Sequence, residues 1–274
     1  MHREQRPPAS LESEQAIDDL YRYYWDVKPN PSLMKGFVHP LLATALTVSR
    51  SRYTFEEGAR EAIDDHFKAD GQVLLSFEHA TILDPFAMAG VVHKDRALRP
   101  LEGNSVIAAK AEAYNWHPAI AWFLEHAGAF PAFRPKDGDR LKSKIKLHPD
   151  DDMVKQLISS SGDAVVEISI ENMNQGLNVA LFPRSERRDK GDNAPITADR
   201  VRLGVGRVAC GIDHPENVLI VPGAVDYGRG LLRPSVVFGR PMAITQVVEP
   251  ELIMAEVAPR MQHSRELAAE LSAA

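Results

Sequence analysis

The sequence predicts an α/β fold: a mainly parallel central sheet flanked by helices on both faces, preceded by an N-terminal helical extension. Three observations carry it. Apolar runs of three to five residues, bounded by turn residues, recur along the chain and have the length of buried parallel strands. Segments with helical periodicity fall between them, the alternation that builds crossover units. The chain has 274 residues, 44% hydrophobic and 26% charged, enough for one globular unit with a sizeable core and a pocket.

In chain order, residues 1–12 are polar with two prolines and are expected to fray. Between Ser13 and Val27, Ile17, Leu20, Tyr21 and Tyr24 recur at helical spacing. The stretch Pro31 to Arg52 carries a broad apolar face of Met34, Phe37, Val38, Leu41, Leu42, Ala45, Leu46 and Val48, flanked by Lys35, Arg50 and Arg52. Two readings stand: an interfacial helix pressed into lipid headgroups, or a helix packed on the domain core, which the pattern favours. Pro40 marks a kink or a helix start. A helix is expected over Thr54–Lys68, opened by a capping box of Thr54 and Glu57. After Gly71 come the strand Val73–Phe77 and further strands at Val106–Ala109, Val179–Phe182, Val218–Val221 and Val236–Phe238. Helices are expected at Pro85–Val92, His117–His126, roughly Asp152–Gln175, and from Thr197. No linker, repeat or low-complexity tract divides the chain. The expected organisation is an extension over 1–70, with a potential membrane-surface contact, an α/β domain over 71–245, and a C-terminal helical tail over 246–274.

Composition narrows the function classes. A formal net charge of −6 and a pI of 5.9 argue against a nucleic-acid binder. A single cysteine, Cys210, excludes an intrachain disulfide framework and a multi-cysteine zinc site, and fits a reducing, cytoplasmic setting. No His-Glu-x-x-His or dense ligand cluster suggests a metal. No apolar run reaches the roughly 18–20 residues that span a bilayer, and the N-terminus carries no signal pattern, so the chain is expected to be soluble or attached only at a membrane surface.

The best candidate site is the stretch Ser76–Pro85. A buried strand ends, His79 follows, Asp84 comes five positions later, and Pro85 starts a helix. In open α/β sheets the carboxyl ends of strands hold ligands. A histidine there can act as a general base near neutral pH, and a carboxylate on its other ring nitrogen fixes the tautomer and stabilises the imidazolium. The plainer reading makes Asp84 a helix cap ahead of a proline and His79 a loop histidine. Cys210 reads as a structural thiol. Gly204-x-Gly206-x-x-Ala209 formally fits a dinucleotide fingerprint, but no strand precedes it, and the glycines read as close helix packing.

Four blocks in order raise the site above its first motif. Glu78-His79-x4-Asp84 comes first. Ile107-Ala108-Ala109-Lys110 follows, with a helix from Trp116 to His126 and then Gly128-Ala129-Phe130-Pro131-Ala132-Phe133-Arg134. The third is Leu181-Phe182-Pro183-Arg184-Ser185-Glu186-Arg187-Arg188, preceded by Gly176. The fourth is Val218-Leu219-Ile220-Val221-Pro222, and Val236-Val237-Phe238-Gly239-Arg240-Pro241 closes the series. This order resembles the glycerolipid acyltransferase family, which includes the 1-acylglycerol-3-phosphate acyltransferases, over roughly Gly71 to Pro241. Two departures stand out. Glu78 replaces the family's asparagine, and Arg184, Ser185 and Glu186 stand where the family has glutamate, glycine and threonine.

The resemblance implies a fatty acyl transfer from acyl-coenzyme A or acyl carrier protein to a hydroxyl of a lysophospholipid or glycerol phosphate-type acceptor. It implies His79 as the base oriented by Asp84, and no cofactor beyond the acyl thioester. It places acceptor-phosphate contacts at Arg134 and Arg187, with Lys110 a third, and with Arg184, Ser185 and Glu186 supplying an altered geometry. Arginine suits this task because its planar fork matches phosphate oxygens. The implied partners are the acyl thioester donor, the glycerolipid acceptor and the inner face of the cell membrane. The run from Arg134 to Lys146, six basic and two acidic residues, reads either as a contact for anionic headgroups or carrier phosphates or as a solvated surface. The alternative from another class is a non-catalytic lipid-binding protein on the same fold. The altered third block favours it; an intact His79/Asp84 pair argues against it.

Overall fold

A computed structural model describes residues 36, 38–48, 51–78, 80–81, 83–110, 118–132, 151–183, 194–244 and 249–274. Its helices are α1 (His39–Val48), α2 (Ala59–Lys68), α3 (Asp84–Lys94), α4 (Pro118–His126), α5 (Asp151–Asn174), α6 (Gly204–Gly211) and α7 (Pro250–Ala273). Its strands are β1 (Arg52–Phe55), β2 (Gln72–Phe77), β3 (Ser105–Lys110), β4 (Ala129–Ala132), β5 (Asn178–Leu181), β6 (Val218–Asp226), β7 (Ser235–Phe238) and β8 (Met242–Ala243). One eight-stranded sheet runs in the order β1-β7-β6-β2-β5-β3-β4, with β8 pairing β6 off that path. β7 and β8 are antiparallel to β6; the other pairs are parallel.

Alternation along the strands sends side chains to two cores. On one face Val73, Leu75 and Phe77 of β2 pack with Leu46 of α1, Ile63 of α2 and Met88 and Val91 of α3. On the other, Leu74 and Val179 pack with Val166 and Met173 of α5, Val205 and Val208 of α6, and Met254, Val257 and Met261 of α7. The result is the expected mainly parallel sheet covered by helices on both faces. Burying β2 on both sides is why its sequence is a continuous apolar run rather than an alternating one.

Several elements differ from the sequence reading. Arg52–Phe55 is a strand, parallel to β7, so the expected helix over Thr54–Lys68 opens only at Ala59. Thr54 lies in the strand, and Gly58, at φ 74°, takes the N-cap position with no side-chain cap. The left-handed backbone there is why a glycine and not the Thr54–Glu57 box sets the helix start. The helix expected from Thr197 is only a short 3-10 turn, Ala198–Arg200, and α6 begins at Gly204. Its glycines do serve close packing: a Cβ on Gly206 would lie 2.4 Å from the backbone oxygen of Pro250 at the start of α7.

The fourth-block strand runs on past Pro222 to Asp226. Pro222 is tolerated inside it because of a change of neighbour. Leu219 and Ile220 pair with β8, while Gly223 to Asp226 pair with β7. The Pro222 carbonyl accepts from Gly239 N at 2.8 Å, so residue 222 turns its polar backbone to this junction, where the missing N–H breaks no ladder.

The stretch Pro31–Arg52 yields α1, with Pro40 in its first turn, packed with His39, Ala43 and Leu46 buried. Leu41 and Val48 remain exposed. The helix expected between Ser13 and Val27 lies outside the described residues. No described helix is long and apolar enough to cross a membrane.

Candidate active site

Register brings four parallel strands to one edge. Ser76 of β2 pairs with Leu181 of β5, Ile107 of β3 with Ala180 of β5, and Lys110 of β3 with Ala132 of β4. Their carboxyl ends therefore lie level, the edge at which parallel sheets present ligand sites. The first block leaves the sheet after Phe77, the second after Lys110 and Ala132, and the third after Leu181.

The turn after β2 is held at both ends. Glu78 N donates to Gly223 O of β6 at 3.0 Å. The Glu78 side chain is fully buried, and Nη1 of Arg265 on α7, itself nearly buried, lies 3.4 Å from its Oε1. On the far side, the fully buried carboxylate of Asp84 accepts from Ala80 N at 2.6 Å and Thr81 N at 2.9 Å through Oδ2, and from Thr81 Oγ1 at 3.2 Å through Oδ1. Leu83 N then donates to Thr81 Oγ1 at 3.0 Å. Asp84 is the first residue of α3, whose N-cap, Leu83, makes no side-chain cap bond. The aspartate thus folds back onto the loop it ends, with the positive end of the α3 dipole favouring its charge. His79 falls between the two anchored segments in sequence and lies outside the described residues.

Tyr227, directly after β6, belongs to this neighbourhood. Burial first, and then the Asp84 charge, push its phenol far above the ordinary range. Sequence reading missed it because the strand was expected to stop at Val221. Arg265 was missed because its partner is 187 positions away; the one available signal was an acidic residue, Glu78, in line with a buried strand.

The other predicted site residues are placed only in part. Lys110 is the last residue of β3. Arg134 falls two positions beyond the end of β4, and Arg134, Arg184, Ser185, Glu186 and Arg187 lie outside the described residues, as does the basic run to Lys146. Cys210 lies within α6. Burial, helped by Glu251 and Glu249, pushes its thiol up, which leaves it a poor nucleophile. A cleft of about 720 Å³ opens at the β1 edge between Glu56, Arg240, His263 and Leu267 and contains none of the predicted site residues.

Against this geometry, a family model described as Acyltransferase matches residues 59–225, more than half of the chain. The chain belongs to the acyltransferase family. No curated protein matches it. The match takes in β2 to β5 with the loops at their carboxyl ends, and β6 as far as Val225, so the edge described above falls inside the acyltransferase region. β7, β8 and α7, with Arg265, lie beyond it.

Proposed function

We propose that this acyltransferase moves a fatty acyl group from acyl-coenzyme A or acyl carrier protein to a hydroxyl of a lysophospholipid or glycerol phosphate-type acceptor. The carrying observation is the turn at the end of β2, where Asp84 closes the loop that contains His79 by gripping the two amides that follow the histidine. In this reading His79 takes the proton of the acceptor hydroxyl as its oxygen attacks the thioester carbonyl. The C–S bond then breaks, the new C–O ester bond remains, and the proton leaves with the thiol. Asp84 orients the imidazole and stabilises its charged form. No covalent acyl-enzyme and no cofactor are needed. Arg134 and Arg187, with Lys110, meet the acceptor phosphate; Arg184, Ser185 and Glu186 shape that contact in place of the family's glutamate, glycine and threonine.

The acceptor class also implies work at a membrane surface, proposed here as the inner face of the cell membrane. The described residues support a surface contact with a turn between β6 and β7. Leu231 and Leu232 are exposed there, between Arg229 and Arg233.

The test is thiol release from palmitoyl-coenzyme A and palmitoyl-acyl carrier protein with a panel of hydroxyl acceptors, wild type beside His79→Ala. Acceptor-dependent release, reduced at least a hundredfold in the variant at unchanged melting temperature, is the expected outcome. No release from either donor, with lipid binding that His79→Ala leaves untouched, would replace this reading by that of a lipid-binding protein on the acyltransferase fold.

A further inference from the structure

At its carboxyl end β2 and the residue after it send two alternate side chains, Ser76 and Glu78, to α7. Ser76 Oγ meets Met261 Sδ at 3.2 Å, and two residues on, Glu78 meets Arg265, four residues along the helix. Two strand residues advance about 6.6 Å and four helical residues about 6 Å, so the two contacts match in spacing. A fully buried carboxylate is costly unless a cation and hydrogen bonds compensate it. Arg265 supplies the cation at 3.4 Å. Its Nη1 also donates to the Ala194 carbonyl at 2.9 Å. Ala194 is the first described residue after the third block.

We propose that Arg265 is a positioning residue of the acyl-transfer site. Through one guanidinium nitrogen it clamps Glu78, the residue before His79, to the chain returning from the third block. This rests on the acyl-transfer reading. It gives the departure at Glu78 a physical sense: an acidic residue in place of the family's neutral asparagine creates a buried charge, and a helix outside the matched region answers it. A lysine would bring a compact, strongly hydrated ammonium in place of the weakly hydrated guanidinium, and so hold this buried contact less well. The clamp fixes where the β2 turn leaves the sheet, and so the aim of the histidine that follows.

The experiment compares full-length wild type with Arg265→Met, Arg265→Lys, Glu78→Gln and the Glu78→Gln/Arg265→Met pair. Three readings are taken: melting temperature, kcat and acceptor KM of thiol release, and the His79 imidazole proton signal, assigned with His79→Ala. Arg265→Met is expected to lower kcat at least tenfold, keep acceptor KM within twofold and move the His79 signal. In the paired variant, which carries no unpaired buried charge, melting should return towards wild type while kcat stays low and the His79 signal stays displaced. Arg265→Lys should fall between.

Recovery of kcat together with melting in the paired variant would reduce the contact to fold stability and overturn the proposal. So would a folded Arg265 variant with unmoved kcat and an unmoved His79 signal. If Arg265→Met does not fold, the paired and lysine variants carry the same decision. A wild type that releases no thiol with any donor counts against the acyl-transfer reading instead. The His79 signal then decides the clamp by itself: displacement in the Arg265 variants supports it, and an unmoved signal overturns it.

Discussion

Asp84 stands before a proline at the start of a helix, a position that usually makes an aspartate a cap. Its carboxylate turns the other way and takes the amides of Ala80 and Thr81. The consequence can be measured by separating shape from charge. An asparagine can still accept from both amides through its carbonyl oxygen, so Asp84→Asn should fold and melt within a few degrees of wild type. It cannot stabilise an imidazolium, and acceptor-dependent thiol release should drop about a hundredfold or more. Equal turnover in the two proteins would reduce Asp84 to a loop clasp. The strand-to-helix turn that Asp84 closes was legible in the sequence, because a buried strand, an aspartate and a proline follow one another within a few positions; its pairing with His79 belongs to the proposed function. Arg265 and Tyr227 were not legible, because nothing local distinguishes an arginine on a C-terminal helix, or a tyrosine past a proline, until the sheet brings them to that turn.

Elements were legible where burial dictates them. The strands at Val73, Val106, Val179, Val218 and Val236 are apolar on both faces, and no other local structure suits such short runs. The misreadings fall at termini. Thr54 with Glu57 reads as a capping box, yet Arg52–Phe55, with its aromatic and β-branched residues, becomes an edge strand, because β7 offers it a partner 183 residues downstream. The first long helix of the described chain brings a testable pH effect. His39 opens α1, is buried, and its Nδ1 donates to Ala89 O of α3 at 2.6 Å. Burial holds its pKa below the ordinary 6.5, outweighing the Ala89 bond and the Glu102 carboxylate; His93 pushes in the same direction as burial. A histidine held neutral by the fold contributes stability fully above the unfolded pKa, and that contribution fades as pH falls through 6.5 and below, because the unfolded chain binds the proton more readily. Melting temperature should therefore fall by a few degrees between pH 7.5 and 5.5, and His39→Leu should fall less. Parallel pH profiles for the two proteins would take His39 out of this dependence.

At the scale of the whole molecule the question is how an acidic protein would meet a bilayer. A net charge of −6 opposes an anionic surface overall, so contact requires a local excess of cations. The turn between β6 and β7 has one. Arg229 is pushed down in pKa by loss of solvent and by the neighbouring charges of Arg52 and Arg233, so the turn carries a local excess of positive charge. Between them Leu231 and Leu232 stand 58% and 77% exposed. The turn begins at Tyr227, beside Asp84, so the amphiphilic tip shares a neighbourhood with the first block. Each leucine transferred from water contributes up to about 1.5–3 kcal/mol, and each arginine near an anionic surface about 1 kcal/mol. Leu231→Ser/Leu232→Ser should therefore weaken sedimentation with phosphatidylglycerol-containing vesicles at least tenfold. Turnover of a water-soluble glycerol phosphate acceptor should persist, since neither leucine belongs to the proposed chemistry. Wild-type binding should also fall as salt is raised and be weak on phosphatidylcholine alone. Unchanged sedimentation of the double variant would move the contact away from this turn and back to the exposed Leu41 and Val48 of α1, or to the basic run from Arg134 to Lys146.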